Sequence, residues 1–135
     1  MRVMVVSNIF PPHVRGGYEL GLLEVARTFA RAGHEVEVVT SRAIGTLKKV
    51  AAPTDLPVRE VFAPVLAYEA DLSARLEGAR AWQEHRTDAL GGIDAASVIA
   101  LDLEIRRFRP DRIWIGNPLG VGPVSLLETA LGAGV

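Results

Sequence analysis

The first forty residues constrain the fold most, because two apolar runs flank a helical repeat there. The run RVMVVS at 2–7 is short, continuous and rich in β-branched residues, which is typical of a strand buried on both faces of a parallel sheet. EVEVVT at 35–40 predicts a second strand. Between them, apolar residues recur at helical spacing from Gly17 onward, namely Leu22, Val25, Ala26, Phe29 and Ala30. A crossover this short makes the two strands parallel.

Two further strands are predicted downstream. Residues 58–63 alternate between polar and apolar and are bounded by Pro57 and Pro64, which predicts a short, peripheral strand. RIWIG at 112–116 is the fourth strand. Residues 41–57 contain prolines and little periodicity, so we expect mostly loop there, with a short helical turn as the alternative.

Three helices are predicted besides the one that starts at Gly17. The first covers 68–90, and the last covers 125–131. Asp94 is a candidate cap for the helix between them. The apolar face of that middle helix comprises Val98, Leu101, Ile105 and Phe108. Strands alternating with helices predict an α/β fold: a Rossmann-like open, mostly parallel sheet with helices on both faces and a strand order of about 3-2-1-4.

Composition narrows the class of protein. The 135 residues suit one domain, and a net charge of -1 gives no reason to expect nucleic acid or an anionic membrane as a bulk partner. The chain has no cysteine, which excludes disulfides and thiolate chemistry. The apolar N-terminus is too short for a signal peptide, and no run approaches the ~20 residues of a membrane span. These features predict a cytoplasmic protein without a transmembrane segment.

The predicted strand order also predicts where a ligand binds. In open parallel sheets, ligands bind outside the carboxyl ends of the strands, where the strand order reverses. Residues 8–17 and 117–122 would line that crevice. Gly16 and Gly17 stand there at a helix start, where unpaired N–H groups and the helix dipole attract phosphate. The dinucleotide fingerprint and the phosphate-loop motif are both absent from the sequence. The alternative interpretation of Gly16 and Gly17 is a turn that lets helix and strand pack closely.

Other residues of these loops are candidates to line the cleft, namely Asn8, His13, Arg15, Glu19 and Asn117. Each also has an ordinary structural interpretation: a solvated histidine, an exposed arginine, or a carboxylate that stabilises a helix start. Lys48 and Lys49 are interpreted as a solvated surface pair, and Trp82 and Trp114 as core residues. No metal ligands are predicted, and no residue is assigned a catalytic role.

The stretch NIFPPHVRGGYELGLLEVARTFARAGHEVEVVTS at 8–41 resembles the amino-terminal domain of glycosyltransferases with the two-Rossmann-domain (GT-B) architecture, in particular the retaining family 4-like group, also described as glycosyl transferase group 1. That group has a PP-x-x-GG-x-E loop and a GHEV sequence at the second strand. The matching residues here are Pro11, Pro12, Gly16, Gly17, Glu19, Gly33, His34, Glu35 and Val36. RPDRIWIGNP at 109–118 looks like the fourth strand of the same group.

The resemblance implies an enzyme that transfers a sugar from a nucleotide-sugar donor to an acceptor with retention, without a metal or another cofactor. It implies that Gly16 and Gly17 approach the donor diphosphate and that the amino-terminal domain supplies much of the acceptor site. Most of the donor site would belong to a carboxyl-terminal domain of the same protein. Residues 1–135 would then be a truncated, acceptor-side half that is inactive alone.

Two points leave other hypotheses open. The group often has a histidine just after the fourth strand, where this sequence has Gly116 and Asn117. From the residues alone, a non-catalytic nucleotide- or anion-binding module and a Rossmann-like interaction domain remain alternatives. The acceptor is expected to be a small molecule, a glycan or a lipid, and a lipid acceptor would make the full-length protein peripheral to the membrane.

Overall fold

The computed structural model describes residues 1–44, 48–66, 95–118, 121 and 123–135. Two kinds of element alternate along these residues. The strands are β1 (Arg2–Val6), β2 (His13–Val14), β3 (Glu35–Ile44), β4 (Lys48–Lys49), β5 (Val58–Leu66) and β6 (Arg112–Ile115). The helices are α1 (Gly17–Arg31), α2 (Ala95–Phe108) and α3 (Pro123–Gly132).

Four strands form a parallel sheet in the order β5-β3-β1-β6, which confirms the predicted α/β fold class. The four predicted strands keep the relative order 3-2-1-4 within this sheet. Numbered over all six strands, the order differs in detail, because the short strands β2 and β4 pair with each other in a separate ribbon. The sequence does not indicate that ribbon.

The alternation of side chains along β1 explains why helices cover both faces of the sheet. Val3 and Val5 pack with α1, whereas Met4 and Val6 pack with α2 and α3. All four side chains are at most 2% exposed. A strand buried on both faces must be apolar at every position, and RVMVV is continuous rather than alternating for that reason.

The boundaries of two strands differ from the prediction. β3 continues four residues past Thr40, to Ile44, with register irregularities against β5 between Thr40 and Ala43. β5 continues through Pro64 to Leu66, which an edge strand tolerates because one side of it makes no ladder. No helical turn occurs in the described parts of 41–57. The helix predicted at 68–90 and the cap Asp94 lie outside the described residues.

Trp114 corrects the interpretation of this tryptophan as a core residue. Its side chain is 48% exposed, and its ring makes an edge contact with Phe29 at 5.7 Å between centroids. β6 is an edge strand of the described sheet, so a residue on its α1 face is covered from one side only. None of the described helices is long and apolar enough to cross a bilayer.

A bidentate ion pair ties α1 to the segment before β5. Arg27 donates from Nε to Asp55 Oδ2 at 2.8 Å and from Nη2 to Asp55 Oδ1 at 3.1 Å. The hydrogen bond from Arg27 lowers the pKa of the Asp55 carboxyl below its usual value. A carboxyl group with a lowered folded-state pKa stabilises the fold above its unfolded pKa, and this contribution disappears as the pH falls through the folded pKa.

Asp55→Asn is therefore expected to lower the melting temperature slightly near neutral pH. The difference from the unmodified chain should begin to shrink as the pH falls below about 4, the ordinary pKa of an aspartate, and should vanish once the pH is below the lowered pKa of Asp55 in the folded state. Thermal unfolding followed by circular dichroism at several pH values measures this. Glu60→Gln is the control, because Glu60 is exposed and forms no ion pair with a described residue. An equal loss at acid and neutral pH would contradict the electrostatic explanation.

Candidate functional site

The loop after β1 begins at the carboxyl edge of the sheet and is packed rather than open. Residues 7–11 are all buried. The Ser7 hydroxyl donates to the carbonyl oxygen of Ile9 at 2.8 Å, and the His13 N–H donates to the carbonyl oxygen of Phe10 at 3.2 Å. The peptide bond between Pro11 and Pro12 is cis. The loop therefore holds the start of α1 in a fixed position relative to the sheet.

Asn8 and Asn117, two of the predicted cleft residues, are joined directly through the backbone. The Asn8 N–H donates to the carbonyl oxygen of Asn117 at 2.7 Å. The Ser41 hydroxyl donates to the carbonyl oxygen of Asn8. Asn8 is buried and Asn117 is half-buried. The two loops consequently leave the sheet together, and a ligand groove must lie further out than residue 8.

Gly16 and Gly17 are exposed at the start of α1. Apart from its neighbours in the chain and in α1, no described residue has an atom within 4 Å of a Cβ built at either glycine. Gly16 has φ -162°, an extended conformation that any residue adopts, and it is the N-cap of α1, a position that favours glycine. The open space at both residues leaves room for another molecule to approach the backbone.

Glu19 is buried and serves as the cap of α1. Its Oε2 accepts the N–H of Gly16 at 2.9 Å and the N–H of Arg15 at 3.2 Å. This geometry is the reciprocal half of a capping box, and the carboxylate also lies at the favourable end of the helix dipole. An anion at the helix start would compete with Glu19 for the Gly16 amide. The Gly17 N–H donates to no described residue.

Glu19→Ala is expected to lower the free energy of unfolding by about 1 kcal/mol, because two backbone amides lose their acceptor. Glu19→Gln keeps an acceptor oxygen and is expected to lose less. Urea denaturation of both variants measures the difference. A loss as large in the glutamine variant as in the alanine variant would show that the carboxylate charge, rather than the cap, stabilises the helix.

The ribbon of β2 and β4 brings Lys48 and Lys49 to the same region. His13 pairs with Lys49 and Val14 pairs with Lys48, and the Val50 N–H donates to the carbonyl oxygen of Pro12 at 2.9 Å. Both lysine side chains are exposed, as a solvated pair would be. Their backbone is nevertheless fixed beside the loop, which sequence patterns do not reveal in a two-residue strand.

Two further residues lie at the site. The sequence analysis does not identify Tyr18, and it names Gly116 without explaining it. Tyr18 is 50% exposed in the first turn of α1. A Cβ at Gly116 would lie 3.0 Å from the Tyr18 hydroxyl oxygen and 2.9 Å from Leu22 Cδ2. A side chain at residue 116 would therefore require the side chains of Leu22 and Tyr18 to move.

The arrangement has the chemistry of an anion site. Amide donors, an exposed tyrosine and basic side chains meet at one helix start, and the described residues include no cluster of acidic or histidine side chains suited to a metal ion. Comparison of the chain with protein-family models, with curated proteins and with solved structures returned no match.

Proposed function

We propose that the chain is the amino-terminal, acceptor-side domain of a glycosyltransferase that moves a sugar from a nucleotide-sugar donor with retention. One observation carries the proposal: Gly16 and Gly17 are exposed at the start of α1, and the Gly17 N–H donates to no described residue. The sequence resemblance at the same residues supports it. The partner in this proposal is a carboxyl-terminal domain of the same protein, which holds most of the donor.

The chemistry of sugar transfer gives these amides a role. The bond from the anomeric carbon to the diphosphate oxygen breaks, a bond from that carbon to the acceptor oxygen forms on the same face of the sugar, and the acceptor proton passes to the departing diphosphate. Negative charge develops on the diphosphate as it leaves, and a backbone N–H group that is already in place stabilises that charge without reorganising. The Gly17 N–H is directly available to a phosphate oxygen, and the helix dipole adds to the attraction. No step of this transfer requires a metal or a resident cofactor.

Titration of the chain with uridine and guanosine diphosphates, followed by amide NMR, tests the proposal. We expect weak binding, in the millimolar range, with shifts centred on the amides of residues 16–18, because the larger part of the donor site lies in the other domain. Submicromolar binding to this chain alone would instead favour a self-sufficient nucleotide-binding module. Shifts that avoid residues 16–18 would overturn the assignment of the phosphate site.

The transfer reaction itself is tested on the complete gene product. Release of nucleoside diphosphate from a panel of nucleotide sugars, with candidate acceptors added, is the direct assay. We expect release that depends on the acceptor and a product that keeps the anomeric configuration of the donor. Inversion of that configuration would contradict the proposed retaining mechanism.

A further inference from the structure

The paired strands β2 and β4, with the flanking residues Pro12 and Val50, form a short antiparallel ribbon that we call the basic ribbon. Directly opposite residues of such a ribbon lie on one face, with Cβ atoms about 4.5–5.5 Å apart. His13 and Lys49 are opposite each other and therefore share a face. Val14 and Lys48 share the other face, where Val14 is buried.

Arg15 lies directly after β2, in the bend between that strand and the start of α1. It is exposed and immediately precedes Gly16. The face that holds His13 and Lys49 is therefore separated from the start of α1 by one exposed arginine and one glycine in the chain.

The lysines differ from most other cations of the chain in their pairing. The sequence contains only two lysines, and both are in β4. Neither forms an ion pair with a described residue. Arginines elsewhere in the described structure do pair with carboxylates, namely Arg2, Arg27, Arg31, Arg59, Arg106 and Arg107. The positive charge of the ribbon is therefore not neutralised within the described residues.

His13 adds a second observation. Its Nδ1 atom is inaccessible to water and has no hydrogen-bond partner among the described residues. Buried polar atoms without partners are rare, so this imidazole has a place for a partner that a water molecule or a ligand would fill. The nearby carboxylate of Glu19 does not fill this role, since it is buried and accepts the amides of Arg15 and Gly16.

We propose that the face of the basic ribbon that holds His13 and Lys49, with Arg15 next to it in the chain, binds a phosphate group of a substrate. The proposal rests on the proposed function for the identity of that substrate, which is either the donor diphosphate or a phosphorylated acceptor. Ammonium and guanidinium donors recognise both through the same charge-assisted hydrogen bonds. The ribbon thereby adds positively charged side chains to the neutral backbone amides of Gly16 and Gly17.

The test is an amide NMR titration of the chain with inorganic pyrophosphate and, separately, with glucose 6-phosphate. Shifts at residues 13, 15 and 49 with either probe support the ribbon site. If pyrophosphate shifts the amide signals of these residues together with those of residues 16 and 17, the ribbon binds the donor diphosphate. If glucose 6-phosphate shifts the amide signals of residues 13, 15 and 49 alone, the ribbon binds a phosphorylated acceptor. The proposed ribbon site is then supported even if Gly16 and Gly17 bind no phosphate.

Lys49→Gln is expected to weaken binding of the effective probe about fivefold, as for the loss of one charge-assisted hydrogen bond. Lys48→Gln is the matched control, because it removes the same charge from the adjacent residue on the other face, and it should weaken binding less than twofold. The absence of shifts at 13, 15 and 49 with both probes would overturn the proposal. Equal weakening by the two variants would also overturn it, since it indicates diffuse attraction only.

Discussion

Gly17→Val is expected to leave the fold intact and to lower sugar transfer by the complete protein about a hundredfold. The structure has room for the added side chain. Apart from the neighbours of Gly17 in the chain and in α1, no described residue has an atom within 4 Å of the Cβ position. The added side chain projects from the backbone that a diphosphate oxygen would approach, so the N–H donor is shielded from its ligand. Loss of one such donor typically costs on the order of a hundredfold in rate or more.

The stability of the variant separates this effect from misfolding. Gly17 is the first residue of α1, and valine has a higher helix propensity than glycine. Gly17→Val is therefore expected to unfold at the same temperature as the unmodified chain or slightly above it. Thermal unfolding together with nucleoside diphosphate release measures both properties on the same preparations.

Gly21→Ala is the matched control for this prediction. Gly21 lies one helical turn later in α1, is exposed and also has open space at its Cβ position. The alanine variant should be more stable by up to about 1 kcal/mol and should transfer sugar at the unmodified rate. Full activity in Gly17→Val, or equal losses at residues 17 and 21, would rule out a phosphate site at the start of α1.

The sequence predicts the central elements of the fold because their burial dictates their pattern. β1 is covered on both faces, so its apolar run is continuous, and α1 is covered on one, so its apolar residues recur at helical spacing. The left-handed conformation of Gly33, with φ +83°, ends α1 as its position predicts. The short crossover between β1 and β3 makes these two strands parallel neighbours.

The details of the site are harder to predict because they depend on contacts between distant residues. Two residues of β4 carry no periodicity, and only the pairing with His13 and Val14 makes them a strand. The extension of β3 past Thr40 depends on β5, which comes much later in the chain. The sequence favours Glu19 as a helix-start carboxylate, with a ligand contact as the alternative, and its hydrogen bonds from the amides of Arg15 and Gly16 agree with the first interpretation.

A buried ion-pair network on the opposite face of the sheet gives the largest expected effect on stability. Glu37 and Glu104 are 7% and 6% exposed, and Arg107 bridges them. Arg107 Nη2 lies 2.6 Å from Glu104 Oε2, and Arg59 reaches the same carboxylate at 3.0 Å. Burial alone would lower the pKa of Arg107, but its hydrogen bonds to Glu104 and Glu37 outweigh this and raise the pKa. Arg107 therefore remains a cation.

Arg107→Met is expected to lower the free energy of unfolding by about 2–4 kcal/mol. Removing one partner of a buried pair leaves a carboxylate without compensation, although the partial exposure of Arg107 allows water to screen part of the charge. Glu37 is affected most, because among the described residues only Arg107 forms an ion pair with it. Urea denaturation near neutral pH measures the loss.

Two further variants assign the loss to buried charge. Arg106→Met removes a neighbouring arginine whose side chain is 75% exposed and pairs with Asp102 on the surface, so it should cost less than about 0.5 kcal/mol. Adding Glu37→Gln to Arg107→Met removes the uncompensated charge and should restore part of the stability. A deficit that Glu37→Gln does not reduce would mean that the aliphatic packing of Arg107, rather than its charge, stabilises this face of the sheet.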